Sequence, residues 1–227
     1  MGRPAIVTST RSSGAALRRW ATIVGMTASA IAVRPSPALL KADGARYTWL
    51  ELVRSASNGV RETIMMNGTA PAFDSLRGWE FRGGNGSVFT RLIGIRKFAK
   101  GFYEGPDRSA VGPTPHLHGY NVTVRQNADD AEHLYTPSAA APKRHGYYRV
   151  HKPVEGAKDA RYPNALLLDY GLGGNGPFGP PLRDYIVQVY PDDTDLLLGK
   201  AYVALGPIRI PVGFFILERL KKHDHRG

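Results

Sequence analysis

Residues 182–220 read LRDYIVQVYPDDTDLLLGKAYVALGPIRIPVGFFILERL, and the choice between helix and strand in this stretch decides the fold. It holds three runs rich in β-branched and aromatic residues, at 182–190, 196–205 and 208–220, with no space for a helix between them. Pro191-Asp192-Asp193 and Gly206-Pro207 supply turn residues at the two joins. Strands joined by such short turns pair antiparallel, because a parallel crossover needs about a dozen residues or more.

The same two-residue period runs upstream through 78–83, 96–103, 119–126, 146–152 and 164–170, with Gly, Pro, Asn or Asp at nearly every join. Eight consecutive antiparallel strands predict a meander that closes into a barrel with room for a small ligand. The segment SVFTRLIGI at 87–95 is expected to form a helical turn across one barrel end. The last three strands are apolar on both faces in places, most clearly at Val212-Gly213-Phe214-Phe215-Ile216-Leu217. A barrel wall normally shows one face to water, so this apolarity needs an outer cover. The stretch TWLELVRSASNGVRETIMM at 48–66 can supply it, since Leu50, Val53, Ala56, Val60 and Ile64 recur at helical spacing. Asn58-Gly59 marks a break, which allows two shorter helices.

Leu76-Arg77-Gly78-Trp79, leading into the first strand and followed by Gly83-Gly84, is similar to the opening of calycin-type barrels, the superfamily of lipocalins, fatty-acid-binding proteins and nitrobindin-like proteins. The resemblance implies a guanidinium from the last strand stacked on the early indole, and Arg219 is the residue placed to pair with Trp79. The expected fold is therefore mainly β, an antiparallel eight-stranded calycin-like barrel with one N-terminal amphipathic helix packed outside. Residues 1–42 are expected to be a targeting segment or disordered tail, 43–73 a helical lead-in, 74–220 the barrel and 221–227 a basic tail. The chain departs from the lipocalin G-x-W motif, having Gly-Trp directly. Haem binding in nitrobindin-like barrels uses a histidine near the carboxyl end, and Phe214–Leu220 holds none, so no cofactor is expected.

The 227 residues suit one full-sized domain, and 26 Gly with 17 Pro favour short strands and punctuated loops. Absence of cysteine excludes disulfides, zinc–thiolate sites and thiol nucleophiles. The net charge is +11, but about +6 of it falls in residues 1–47, where Asp43 is the one acid. Positive residues elsewhere are mostly single, apart from Lys221-Lys222 and the Arg96-Lys97…Lys100 cluster, so nucleic acid is not an expected partner. Arg11, Arg18 and Arg19 precede the mild apolar run WATIVGMTASAIAV at 20–33, with Ser36-Pro37-Ala38 after it. These are the parts of a secretory signal, giving a secreted or periplasmic protein, and an organellar transit peptide is the alternative. The run is too short to span a bilayer as a helix.

Gly171-Leu172-Gly173-Gly174-Asn175-Gly176 fits G-x-G-x-x-G. Pro177, Pro180 and Pro181 follow at once and the next residues alternate as a strand, so no helix N-terminus exists to hold a pyrophosphate. The loop is expected to be a long mobile strand connection and a possible lip of the pocket. His116 and His118 share one side of a strand as metal ligands must, yet no acid follows until Asp129, and no metal is expected. Asp169, with Tyr170 or Lys200, and His116 and His118 are the candidates for acid–base catalysis.

Function is expected to be the binding of a small hydrophobic or amphipathic molecule in the barrel cavity. Trp79, Phe81, Tyr185 and Tyr202 would line it, and Lys200 or Arg125 would meet a polar end such as a carboxylate. Lys200 shares a face with Leu196, Leu198 and Tyr202; if that face is outward it is an ordinary solvated lysine. An enzyme on the same barrel, or an interaction module with a filled barrel, are the alternatives.

Overall fold

A computed structural model of the chain describes residues 40–86, 94–105, 117–175 and 181–227. Residues 1–39 of the expected targeting segment or tail, His116, and parts of the 87–95 and 171–179 segments lie outside the described residues. Eight strands form a closed barrel in which each pairs with its sequence neighbours: β1 (Trp79–Asn85), β2 (Lys97–Glu104), β3 (Leu117–Val122), β4 (Arg144–His151), β5 (Leu166–Asp169), β6 (Leu182–Gln188), β7 (Leu196–Leu205) and β8 (Ile208–Lys222). Every pairing is antiparallel, and β8 returns to β1 through partners such as Gly83 with Leu217. At the 191–195 turn, Asp193 N–H donates to the Tyr190 carbonyl (3.1 Å), and the Asp193 side chain accepts from Asp195 N–H (2.8 Å).

Three short helices precede the barrel: α1 (Trp49–Arg54), α2 (Asn58–Asn67) and α3 (Phe73–Leu76). The break between α1 and α2 falls before Asn58-Gly59, which sit in the first turn of α2. Two caps fix it there. Ser57 accepts the Val60 N–H, and the buried Arg61 guanidinium reaches back to the Leu52 and Val53 carbonyls at the end of α1, with Nε–O 2.9 Å to Leu52. A capping box between Thr48 and Glu51 starts α1. Trp49, Leu52, Val53, Ile64 and Met65 share one buried cluster with Leu198, Tyr202, Phe214 and Ile216. Among the described residues no helix is long and apolar enough to cross a membrane.

The β3–β4 connection folds back over another part of the wall. There the Lys97 ammonium, although buried, donates to Asn127 Oδ1 (2.7 Å) and to the Ala128 and Ala131 carbonyls (3.0 and 2.6 Å). Nearby, His133 lies edge-on to the Trp49 ring and its Nε2 sits 3.1 Å from the Gly83 carbonyl. Burial, reinforced by Lys97 and Arg82 against the Gly83 carbonyl, lowers the His133 pKa to about 4. The unfolded chain therefore takes up this proton first as pH falls. Stability from a neutral His133 is complete above about pH 6.5 and is lost towards pH 4, by roughly 2–3 kcal/mol. Urea unfolding of the wild type and His133→Gln at pH 7 and pH 4.5 is expected to show a stability gap that shrinks or reverses at the lower pH. A gap independent of pH would contradict a buried neutral imidazole.

Inside the barrel, glycines make space for rings. Gly83 faces Phe98, Gly119 faces Tyr148 and Gly199 faces Phe215 across neighbouring strands, and each aromatic ring lies where a Cβ on its glycine partner would be. Phe81, Phe102, Tyr148, Leu166, Ile186, Leu197 and Leu217 are all 0% exposed. On the side towards Trp79 these side chains form one buried cluster, against which Trp79 packs. The other half, at the end carrying the β1–β2, β3–β4, β5–β6 and β7–β8 connections, is looser: Phe98, Leu182 and Ala201 pack on the same core but are half-buried.

Candidate functional site

Strand register brings one opposite-charge pair into this interior. Lys100 is the cross-strand partner of Phe81 and Asn121, and Asp184 is the partner of Leu168 and Ala201. Partners in a ladder point to the same side of the sheet, so all of these side chains face inward. Lys100 Nζ donates to Asp184 Oδ2 (3.0 Å), Asn121 Oδ1 (2.9 Å) and the Tyr170 hydroxyl (2.5 Å). The Tyr170 hydroxyl donates to Asp184 Oδ2 (3.0 Å) and accepts from Asn121 Nδ2 (3.2 Å). Rings of Tyr148, Tyr170, Phe215 and Phe98 surround the ammonium with centroids 4.9–5.6 Å away.

Burial shapes the protonation of this set. It lowers the Lys100 pKa, against which the adjacent Asp184 carboxylate acts to keep the charge. It raises the Tyr170 and Tyr148 phenols well above their ordinary range, with Asp184 adding to the effect, so both remain neutral donors. The three protons of the ammonium are all used. One acceptor is not: Asp184 Oδ1 is buried and has no hydrogen-bond partner. Other buried ions differ in this respect. Glu80, on the outer wall, accepts from the Tyr120 hydroxyl at one oxygen (2.8 Å) and from the Tyr135 hydroxyl at the other (2.5 Å). Among the described residues no other carboxylate oxygen is both buried and without a hydrogen-bond partner.

The glycine loop has a structural part in this site. Asp169 accepts the Gly171 N–H (2.8 Å) and starts a 3-10 turn over Tyr170–Leu172. Asn175 then pairs with the start of β4 as a strand would, accepting from Tyr147 N–H (2.8 Å) and donating to the Tyr147 carbonyl (2.7 Å) and the Tyr170 carbonyl (2.8 Å). Gly173 passes so close to the Tyr147 carbonyl that a Cβ would overlap it. Residues 171–175 are thus pinned to the barrel, unlike the mobile connection expected, and they hold Tyr170 against Lys100.

The residues expected from sequence to line a cavity divide between the two faces. Phe81 is inside. Trp79 lies at the start of β1 with the Arg219 guanidinium 4.4 Å from its ring centroid, and Arg219 also meets Asp195. Tyr185, Lys200 and Tyr202 do not line the interior. They point outward with Tyr162, and Lys200 Nζ donates to Glu62 Oε2 on α2 (2.5 Å) and to the Tyr162 hydroxyl (2.9 Å). Burial opposes the Lys200 charge, but these partners together raise its pKa. Arg125 is exposed beyond the end of β3. Asp169 is also outward, 2.9 Å from Arg183 Nη1, and serves the loop. His118 packs beside Tyr103 on the outer wall (5.7 Å). Among the described residues no three His, Asp or Glu side chains are grouped to hold a metal ion.

No family model matches the chain, and no curated protein matches it. The chain is a closed eight-stranded antiparallel barrel with a buried lysine–aspartate–tyrosine set at one end of its interior. Sequence reasoning did not assemble this set, but a signal for it exists. Lys100 stands between Phe98 and Phe102 at two-residue steps, and Asp184 between Leu182 and Ile186. Each is a charge embedded in the apolar face of its strand.

Proposed function

We propose that the protein binds a small hydrophobic or amphipathic molecule in the loop-end half of the barrel, over Asp184. The observation that carries this reading is the buried Lys100–Asp184–Tyr170 network with its open Asp184 Oδ1. Burying an ion pair gains little stability over an apolar core of the same volume. Leaving one of its oxygens unpartnered costs more. A set of this kind beneath half-buried Phe98, Leu182 and Ala201 suits recognition better than support. The likeness to calycin-type barrels belongs to the same reading, as does a lasting cover of β6–β8 by α1 and α2. Export or organelle import through residues 1–42 is a separate proposal, tested by the N-terminal mass of protein recovered from its native source.

Ala201 is the cross-strand partner of Asp184, and Ala201→Trp would set an indole against the Asp184 carboxylate. Native mass spectrometry of the purified protein is expected to show a retained molecule, or uptake of the naphthalene probes below, in the wild type and loss of either in Ala201→Trp. Wild-type protein that retains nothing and takes up no probe would overturn the reading in favour of a filled, structural barrel.

A further inference from the structure

We infer that the molecule meeting Asp184 is a neutral hydrogen-bond donor, an alcohol or phenol on an apolar body, and neither a carboxylate nor an amine. This rests on the ligand-binding reading above and names the ligand's chemistry. The open group is an acceptor, Asp184 Oδ1, in a side chain 6% exposed. A carboxylate ligand would bring a second anion against it. Lys100 offers such a ligand nothing, because Asn121, Tyr170 and Asp184 take its three protons. An ammonium ligand would place a second cation beside Lys100, whose Nζ is 3.0 Å from the same carboxylate. Like charges at such separations in a poorly solvated interior repel strongly. A hydroxyl completes the carboxylate's hydrogen bonds without adding charge, and the half-buried Phe98, Leu182 and Ala201 offer apolar surface to the rest of the molecule.

The test is a series of probes sharing one body: 2-naphthol, naphthalene, 2-naphthoate, 2-naphthylmethylamine and 2-acetylnaphthalene. Titration calorimetry with the full-length protein is expected to give 2-naphthol at least ~10-fold tighter binding than each of the others. Asp184→Asn sharpens the test. Its carbonyl would face Lys100 and Tyr170, turning the amide N–H₂ towards the ligand. The order of 2-naphthol and 2-acetylnaphthalene is then expected to reverse, while 2-naphthoate tightens. If 2-naphthoate or naphthalene matches 2-naphthol on the wild type, the donor class is wrong and the binding reading stands. If no probe binds, the donor class falls, and the binding reading falls with it when native mass spectrometry also finds no retained molecule. Should Asp184→Asn not fold by circular dichroism, the wild-type series decides alone.

Discussion

Lys100→Met is expected to lower the free energy of unfolding by about 3–5 kcal/mol, because it strands a buried carboxylate without its counter-ion. Lys100 and Asp184 have side chains 3% and 6% exposed, so solvent offers the carboxylate little relief. Tyr170 would remain as a donor to Asp184 Oδ2, and Oδ1 would still lack a partner. Asp184→Leu alone should cost a similar amount for the opposite reason, an ammonium left with only the neutral Asn121 and Tyr170. The double replacement Lys100→Met/Asp184→Leu should recover most of the loss, since it removes both desolvated charges and leaves the Asn121 amide to serve the Tyr170 hydroxyl. Urea unfolding of the four proteins measures the cycle. Single variants within about 1 kcal/mol of wild type, or a double variant worse than either single, would contradict a buried interior pair. The double variant should also lose binding of 2-naphthol despite its recovered stability, which separates recognition from support.

Gly199→Val carries the second large effect. The Phe215 ring occupies the position of a side chain on Gly199, and the ring is itself held by the Phe98 edge at 5.9 Å and the Lys100 ammonium at 5.2 Å. Valine must therefore push the ring into the ion-pair network or part β7 from β8. Overpacking of a well-filled core costs about 1–3 kcal/mol, and the rigid surroundings place this change at or beyond the upper figure. Combining Gly199→Val with Phe215→Leu should restore part of the loss, because the smaller side chain vacates the contested space. Chemical denaturation that finds Gly199→Val unaltered would mean that the ring does not lie over the glycine.

The strands were legible because turn chemistry and two-residue alternation agree from Trp79 onwards. Which way each strand faces was less so. In β6, β7 and β8 both faces are buried, one by the barrel interior and the other by a cluster that includes residues of α1 and α2. Alternation between apolar and polar residues then disappears, and nothing local separates the Asp184, Gly199 and Ala201 face from the Tyr185, Lys200 and Tyr202 face. A lysine between Leu198 and Tyr202 resembles a lysine between Phe98 and Phe102. Only the tertiary partner, Glu62 for Lys200 and Asp184 for Lys100, tells outer wall from interior. The helix break was misplaced for a related reason. Asn58-Gly59 is a poor helix sequence, but the Arg61 cap and Ser57 move the interruption ahead of it. The glycine loop was expected to be a strand connection without a phosphate, and its role in holding Tyr170 was not legible because it depends on contacts with Tyr147 on the neighbouring strand.

The most direct measurement is a crystal structure of the full-length protein soaked with 2-naphthol. The predicted result is a naphthol hydroxyl within hydrogen-bond distance of Asp184 Oδ1, about 2.5–3.0 Å, with its rings among Phe98, Leu182 and Ala201. Naphthol density confined to the outer wall, or an Asp184 Oδ1 already paired with another side chain of the protein, would contradict the site.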